Sequence, residues 1–531
     1  MPVSMPSSRW IDDAGWVTQI QDAVDATRVA SFVRILATGL AIWLAYRLLY
    51  ALFLSPLRKV PGPFIARVTS NRGDINNFSG GVAVQVQRDR ETYGDVYVFK
   101  PNAVCISNPA DVRTILSSQD FRKADFFDVF DDGSVKNIVS QRDPALASRR
   151  RRQMGPYLNY AYLNKMEPVI QRHGYQAIQA KWDSLLDGNK GKPTEVNYRI
   201  DTQLVTFDIM SALAFGRDPD SIGHGSSSIT KWSARIMNLL DYSAILALLS
   251  LLPFSLIMRP WKSMYQELAL YSKDAVEMRK NLLKTGQEAP ADMLQAFIEA
   301  EDPDSKIKMS APEIQAECIM MMLAGSETTS SAIMWVLHLL LLHPDKLKKA
   351  VHEVRSAFAP NHLILYREVL DKLPYIEACV YEALRVSPTT AGVTPRISHT
   401  RGIELQGHFI PPGTELYVNL RSPNMDADIW EAPERFQPER FVGNDAAKKN
   451  LFTFSYGPRN CIGRNLAWVE MLTIVANICK DYNIMPAPRS QFGPENVDEN
   501  GVPRLLPAKC FIASFPADAE RDCRMMITRR A

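Results

Sequence analysis

Cysteine is scarce in this chain: its 531 residues include seven cysteines, scattered without paired spacing. Because their number is odd and no C-x-x-C motif occurs, the sequence argues against a disulfide framework and a zinc site, and it fits a reducing compartment. Net charge is also nearly absent, since 61 basic and 58 acidic residues leave +3. So balanced a chain gives no indication of a nucleic-acid partner. Apolar residues make up 46% of the sequence, so a sizeable core is expected.

Residues 29–54 are strongly apolar, and few polar groups such as Arg34 and Arg47 interrupt them. This length is close to the roughly 20 residues that a helix needs to span a bilayer, and arginines near the ends of such a helix reach the interface. A cleaved signal peptide is not expected, because the apolar run begins late and no small-residue cleavage site follows it. We predict a transmembrane anchor here and a lumenal tail over residues 1–28; the alternative is a buried amphipathic helix.

The segment after the apolar run is more basic than the segment before it, with Arg58, Lys59, Arg67 and Arg72. The positive-inside rule therefore places the bulk of the chain in the cytosol. Residues 55–65 contain Pro61-Gly62-Pro63, which fits neither a helix nor a strand ladder and predicts a proline-rich hinge. Residues 66–531 then form one large domain.

One cysteine lies in a glycine-rich loop at residues 454–463, directly before an apolar run at helical spacing. At the start of a helix, unpaired backbone N–H groups and the helix dipole favour an anion, so Cys461 is expected to be a thiolate, the form that binds metal. Gly457 and Gly463 allow a sharp turn and leave room for a flat group. The alternative is a buried structural cysteine, because free cysteine behaves as a small hydrophobe.

The loop reads Phe-x-x-Gly-x-Arg-x-Cys-x-Gly and resembles the haem-binding loop of the cytochrome P450 family. The resemblance implies that Cys461 is the axial thiolate ligand of the iron of haem b. It also implies that Arg459 reaches a haem propionate and that Phe454 packs beside the sulfur. Two further propionate ligands are implied at Arg151 and Arg396.

A long helix is predicted between the capping-box sequence that begins at Ser310 and the His343-Pro344 pair, about 33 residues in all. Midway, Ala324 and Gly325 lie four and three residues before Thr328, on one face. That face would offer a hollow beside a hydroxyl. The alternative is that Thr328 is an ordinary core residue whose hydroxyl bonds to a backbone carbonyl of its own helix.

The stretch from Ala324 to Thr329 is similar to the oxygen-binding signature of the family at every position. The resemblance implies that Thr328 hydrogen-bonds dioxygen and delivers protons, and that Glu327 connects the site to solvent. Ala324 and Gly325 would line the haem.

Four consecutive arginines occupy positions 149–152. A solvated helix face is the usual interpretation, and part of a basic surface for an acidic redox partner is another. The family carries an aromatic residue or histidine four positions before its propionate-binding arginine, but Ala147 occupies that position here.

Glu382 and Arg385 are one helical turn apart, and the family resemblance joins them to Arg440 in a buried structural network. Arg435 stands in a similar Pro-Glu-Arg-Phe sequence and is the alternative to Arg440.

Residues 95–99 and 103–106 predict one β-hairpin, and residues 403–410 predict another. The aromatic residues Phe121, Phe126, Phe127 and Phe130 suggest either a pocket for an apolar ligand or ordinary core packing. The apolar stretch 239–254 suggests a cap over that pocket or a core helix.

Together these features predict a mainly α fold with smaller β-sheets (α+β) and a membrane-anchored cytochrome P450 monooxygenase of the endoplasmic reticulum. The family implies dioxygen and an apolar small-molecule substrate, here of secondary-metabolite tailoring. Because the chain has no G-x-G-x-x-G motif, we expect electrons from a separate NADPH–cytochrome P450 reductase. The alternatives are a haem-thiolate isomerase or dehydratase and a non-enzymatic haem sensor or carrier.

Overall fold

The computed structural model describes residues 14–131, 135–225, 259–286, 288, 290–488, 490–510 and 513–530. The chain divides into two compact units, Met1–Lys59 and Val60–Ala531. In the first unit, the helix Ala14–Leu49 continues into a π-helical turn, Tyr50–Leu54. Its segment Ser31–Leu54 has a mean hydropathy of 1.7 and is long and apolar enough to cross a membrane. The anchor over residues 29–54 and the domain limits around it stay predictions, and the apolar stretch 239–254 lies outside the described residues.

The second unit is dominated by helices, as predicted. The α-helices described there are Phe64–Val68, Asn71–Ser79, Val82–Tyr93, Pro109–Ser117, Pro144–Met154, Tyr160–His173, Tyr175–Gly188, Tyr198–Phe215, Ser221–His224, Arg259–Lys284, Met293–Glu299, Ala311–Leu342, Pro344–Ala357, Tyr366–Lys372, Pro374–Val386, Asp445–Lys449, Arg464–Asp481 and Ala519–Asp522. Short 3₁₀ turns occupy Asp125–Phe130, Gly155–Leu158, Ser422–Met425, Pro438–Arg440 and Gly457–Arg459.

The largest sheet has the order β1 (Val96–Lys100), β2 (Ala103–Ile106), β7 (Glu415–Asn419) and β4 (Val393–Ile397). Strands β1 and β2 form the predicted hairpin, and β7 lies parallel to β2. The other strands form three small antiparallel sheets: β3 (Thr194–Asn197), β11 (Arg524–Arg529) and β8 (Tyr482–Pro486); β5 (Ile403–Leu405) and β6 (His408–Ile410); β9 (Ala508–Cys510) and β10 (Ser514–Pro516). The second predicted hairpin is therefore also confirmed.

The helix Ala311–Leu342, called the central helix below, runs through the hydrophobic core and packs along Tyr198–Phe215. It begins with the predicted capping box: the Ser310 hydroxyl accepts the Glu313 N–H, and the Glu313 carboxylate accepts the Ser310 N–H at 2.7 Å. It ends before Pro344, because proline cannot continue the hydrogen-bond ladder. At 1.5 Å per residue, its 32 residues span about 48 Å.

The predicted scaffold network is confirmed. Arg385 donates to both carboxylate oxygens of Glu382, at 2.7 and 2.8 Å, and neither side chain has accessible surface. Arg440 joins them, with its Nε 3.2 Å from Glu382 Oε1. Arg435 contributes a backbone carbonyl to Arg385, so the choice of Arg440 as the third side chain is correct.

Candidate active site

The cysteine loop folds back on itself before the helix Arg464–Asp481. The Cys461 N–H donates to the carbonyl of Phe454 at 2.9 Å, and the Asn460 N–H donates to that of Gly457 at 3.1 Å. Gly457 has φ +70°, and a β-carbon there would collide with the backbone carbonyl of Leu116. Glycine is therefore required at this position by both conformation and space.

The thiol of Cys461 lies deep in the unit but keeps accessible surface, whereas the other six cysteines are buried. Burial raises the pKa of Cys461, and the backbone N–H groups of Gly463 and Arg464, with the charge of Arg151, oppose this only in part. The helix start therefore favours the thiolate as expected, while the desolvation of the sulfur acts against it.

The three predicted propionate-binding arginines come from different elements: Arg459 is part of the cysteine loop, Arg151 lies on a helix and Arg396 on a strand. Arg151, on the helix Pro144–Met154, donates to the carbonyl and side-chain oxygens of Asn460 at 2.8 and 2.6 Å. Arg459 donates to the carbonyls of Gln141, Arg142 and Asp143 at 3.0–3.2 Å. Arg396, on β4, is 4% exposed and donates to Thr394 Oγ1 at 3.0 Å. Their guanidinium groups face backbone, amide and hydroxyl oxygens, and no carboxylate pairs with them among the described residues.

A fourth cation, Lys123, was missed by the sequence analysis. Its backbone forms a β-bridge with Arg396, and its Nζ donates to the carbonyl of Val139 at 2.7 Å. Burial and the charges of Arg396, Arg459 and Arg151 hold the pKa of Lys123 far below its ordinary value. A lone lysine in a loop carries no sequence signal, because only the tertiary fold brings it to the arginines.

These four cations, Lys123, Arg151, Arg396 and Arg459, are called the cation cluster below. Burial and the neighbouring Arg459 lower the pKa of Arg396 to about 10, which reflects the crowding of like charges. Buried charges without counter-ions are costly, so a cluster of this kind fits a ligand that carries carboxylates. The two propionates of haem meet this requirement. Ala147 is fully buried and its side chain has no polar group, so it cannot hydrogen-bond a propionate.

The central helix carries an accessible notch. Ala324 is exposed and Thr328 is half-buried, whereas Ser326, Thr329 and Ser330 are buried. The Thr328 hydroxyl donates to the Ala324 carbonyl at 2.6 Å, so Thr328 bonds back to its own helix as well as lining the notch.

Gly325 does not share this notch in the way that was predicted. A β-carbon on Gly325 would lie 2.6 Å from Met210 Sδ, on the helix Tyr198–Phe215. The missing side chain therefore allows two helices to approach closely, and it does not open space beside Thr328.

Glu327 points to that neighbouring helix. Its Oε2 accepts from Arg199 Nη2 at 2.7 Å, and its Oε1 accepts from Gln203. Arg199 also donates to Ser330 Oγ at 2.7 Å. A partly buried ion pair thus holds the carboxylate that was predicted to connect the site to solvent.

The predicted aromatic loop forms a cluster. The ring centroids of Phe126, Phe127 and Phe130 lie 5.6–6.2 Å apart, and Lys123 Nζ lies 4.7 Å from the Phe127 centroid. Phe126 is 45% exposed, so the cluster presents an apolar surface. Phe121 is separate, buried and in contact with His399.

The four arginines at positions 149–152 do not form a free basic face, because each lies near an acidic or amide partner. Arg150 is buried between Glu313 and Glu317, and Arg152 donates to Asp302 at 2.6 Å. Arg149 lies 4.0 Å from Glu313. Most of the charge of this run is thus paired within the fold, and its part in a surface for a redox partner stays a prediction.

Comparison with known proteins decides the family. The family model for cytochrome P450 matches residues 71–508. The chain belongs to the cytochrome P450 family. It is 66% identical over 501 residues to the cytochrome P450 monooxygenase helB1 of Aspergillus fumigatus, covering 94% of this chain and 86% of that protein. It is 48% identical to helB2 of the same fungus, covering 93% and 98%.

A solved cytochrome P450 structure, CYP102L1, matches the fold with a TM-score of 0.67 at 18% identity, covering 85% of this chain and 94% of that one. The mainly α cytochrome P450 fold is thereby confirmed. The chain is a cytochrome P450 monooxygenase, and members of this family are haem-thiolate enzymes whose iron has a cysteine axial ligand. The relatives named above are cytochrome P450 monooxygenases of a fungus.

Proposed function

We propose that Cys461 is the axial ligand of the haem iron and that the cation cluster binds the haem propionates. The observation that carries this proposal is the position of Cys461. Its accessible sulfur lies in a glycine-shaped loop, near buried and half-buried cations that pair with no carboxylate among the described residues. The raised pKa of the free thiol is consistent with this role, because a coordinating metal deprotonates a thiol outright. Phe454 supports the loop through the hydrogen bond from the Cys461 N–H.

Bound haem supplies the oxygen chemistry, because its iron takes up electrons and activates dioxygen. The residues of the chain would hold the haem and supply protons to the notch. Lys123, Arg151, Arg396 and Arg459 orient the propionates, while Ala324 leaves the notch of the central helix open. The Thr328 hydroxyl donates to the Ala324 carbonyl, and its lone pairs can accept a hydrogen bond from water. Glu327 would take a proton from solvent when its ion pair with Arg199 opens and pass it through water to the Thr328 hydroxyl, which would release its own proton into the notch.

The substrate we propose is an apolar small molecule, in a tailoring step of terpenoid, polyketide or alkaloid biosynthesis. The aromatic cluster at Phe126, Phe127 and Phe130 supports an apolar ligand, and the fungal monooxygenase relatives support a role in secondary metabolism. We further propose a single-pass anchor over residues 29–54 in the endoplasmic reticulum, a cytosolic catalytic domain and electron supply by NADPH–cytochrome P450 reductase.

The test uses the full chain in yeast microsomes that contain this reductase, with extracts of a fungal host as the substrate source. We expect a carbon-monoxide difference band typical of thiolate-ligated haem and NADPH-dependent products that carry one ¹⁸O atom from ¹⁸O₂. Cys461→Ser should lose the band and the products, whereas Thr328→Ala should keep the band but divert NADPH to peroxide. Products that form without NADPH would instead favour an isomerase or dehydratase, and a band typical of histidine-ligated haem would refute the ligand assignment.

A further inference from the structure

The central helix carries a second buried carboxylate, Glu317, about two turns before the notch. It has no accessible surface, and both of its oxygens are bonded. Its Oε1 accepts from Arg150 Nη1 at 2.6 Å, and its Oε2 accepts from the backbone N–H of Ile138 at 3.1 Å. The second nitrogen of Arg150 bonds Glu313, which caps the central helix. Glu317 therefore ties a loop to the most deeply packed helix of the fold.

That loop, residues 137–143, supplies the carbonyls that orient two members of the cation cluster. Lys123 donates to Val139, and Arg459 donates to the carbonyls at positions 141–143. The loop is also held internally, because Asn137 Oδ1 accepts the N–H groups of Val139 and Ser140 at 2.9 Å. A displacement at Ile138 is therefore passed on to the carbonyls that follow.

We propose that Glu317 is a positioning residue for haem: it holds the 137–143 loop against the central helix and so fixes the carbonyls that direct Lys123 and Arg459. This rests on the proposed binding of the propionates by the cation cluster. Two acceptor oxygens are needed, since the Arg150 guanidinium and the Ile138 N–H both donate. A glutamine offers one acceptor and one donor, so Glu317→Gln must lose one of the two bonds.

The experiment compares wild type with Glu317→Gln and Glu167→Gln as full-length, haem-loaded proteins in detergent. Glu167 is a matched control, because it is a buried carboxylate that also accepts a distant backbone N–H, from Tyr366 at 2.6 Å, but does not contact the 137–143 loop. Two quantities are measured: hydrogen–deuterium exchange of the 137–143 peptide and the rate of haem transfer to apomyoglobin. For Glu317→Gln we expect both to rise at least about tenfold, the effect of losing roughly 1.4 kcal/mol; for Glu167→Gln we expect neither to change.

Wild type provides a second test that needs no variant. Burial, opposed by Arg150, raises the pKa of Glu317 to about 7, so lowering the pH from 8 to 6 protonates it. Against desolvation, hydrogen bonds from Ser310 and the charge of Arg150 lower the pKa of Glu313, so Glu313 stays charged over this range. The nearby thiol of Cys318 stays neutral because burial raises its pKa. Lys123 also lies within electrostatic reach of Glu317, whose charge opposes the lowering of the Lys123 pKa by burial. We therefore expect faster haem transfer at pH 6 in wild type and a flatter profile in Glu317→Gln.

Unchanged exchange and haem transfer in Glu317→Gln, with an intact thiolate band, would overturn the role of Glu317 and leave the proposed function standing. Absence of that band in wild type would overturn both. If the variant does not fold, a wild-type transfer rate that is constant from pH 8 to 6 would overturn the positioning role.

Discussion

Gly325→Ala tests the finding that Gly325 serves helix packing. In the middle of a helix, alanine is favoured over glycine by about 1 kcal/mol. Here the added β-carbon would lie 2.6 Å from Met210 Sδ and 2.9 Å from its Cε, and Met210 is 1% exposed, so its side chain has little room to move. Overpacking of this kind costs about 1–3 kcal/mol. The collision outweighs the propensity, and we expect a net loss of about 1 kcal/mol.

The assay is urea unfolding of the full-length protein, followed by tryptophan fluorescence and by the Soret band, for a double-mutant cycle with Met210→Ala. Met210→Ala alone should cost about 2–5 kcal/mol because it leaves a cavity. In that background Gly325→Ala should become stabilising, so the coupling energy should be about 2 kcal/mol. If Gly325→Ala stabilises the protein with Met210 present and the two changes are additive, the packing explanation is refuted.

Two further predictions concern buried charges. Glu382→Ala leaves Arg385 unpaired without accessible surface, and we expect a loss of about 3–5 kcal/mol in urea unfolding, with Glu382→Gln losing less; an unchanged midpoint would contradict the network. Lys123→Met removes one cation at similar chain length, and we expect haem transfer to apomyoglobin to accelerate several-fold while far-UV circular dichroism is unchanged. Equal transfer rates would exclude Lys123 from propionate binding.

Features that depend on local sequence could be predicted. The capping box at Ser310 and Glu313 and the turn between β5 and β6 are determined by residues within a few positions of each other. The scaffold pairing of Glu382 with Arg440 is not local, and it was accessible only through the family resemblance.

What could not be predicted depends on how elements are rotated and brought together. Gly325 and Ala324 are adjacent, but the rotation of the central helix turns one toward Met210 and leaves the other exposed. Lys123 meets Arg396 through a β-bridge between segments far apart in sequence. The pKa of Cys461 likewise depends on how deeply the loop is buried, which its own residues do not specify.

The helix Pro144–Met154 directs adjacent arginines to different partners, Arg150 to the central helix and Arg151 to the cysteine loop. Successive residues of an α-helix are about 100° apart, so a one-residue insertion before the run would rotate every side chain out of its contact. Because positions 149–152 are all arginine, such an insertion would bring another arginine to each of these two places. The run of arginines therefore allows this helix to keep both contacts after a shift of one residue. The contacts depend on an arginine being present at each place, whichever member of the run supplies it.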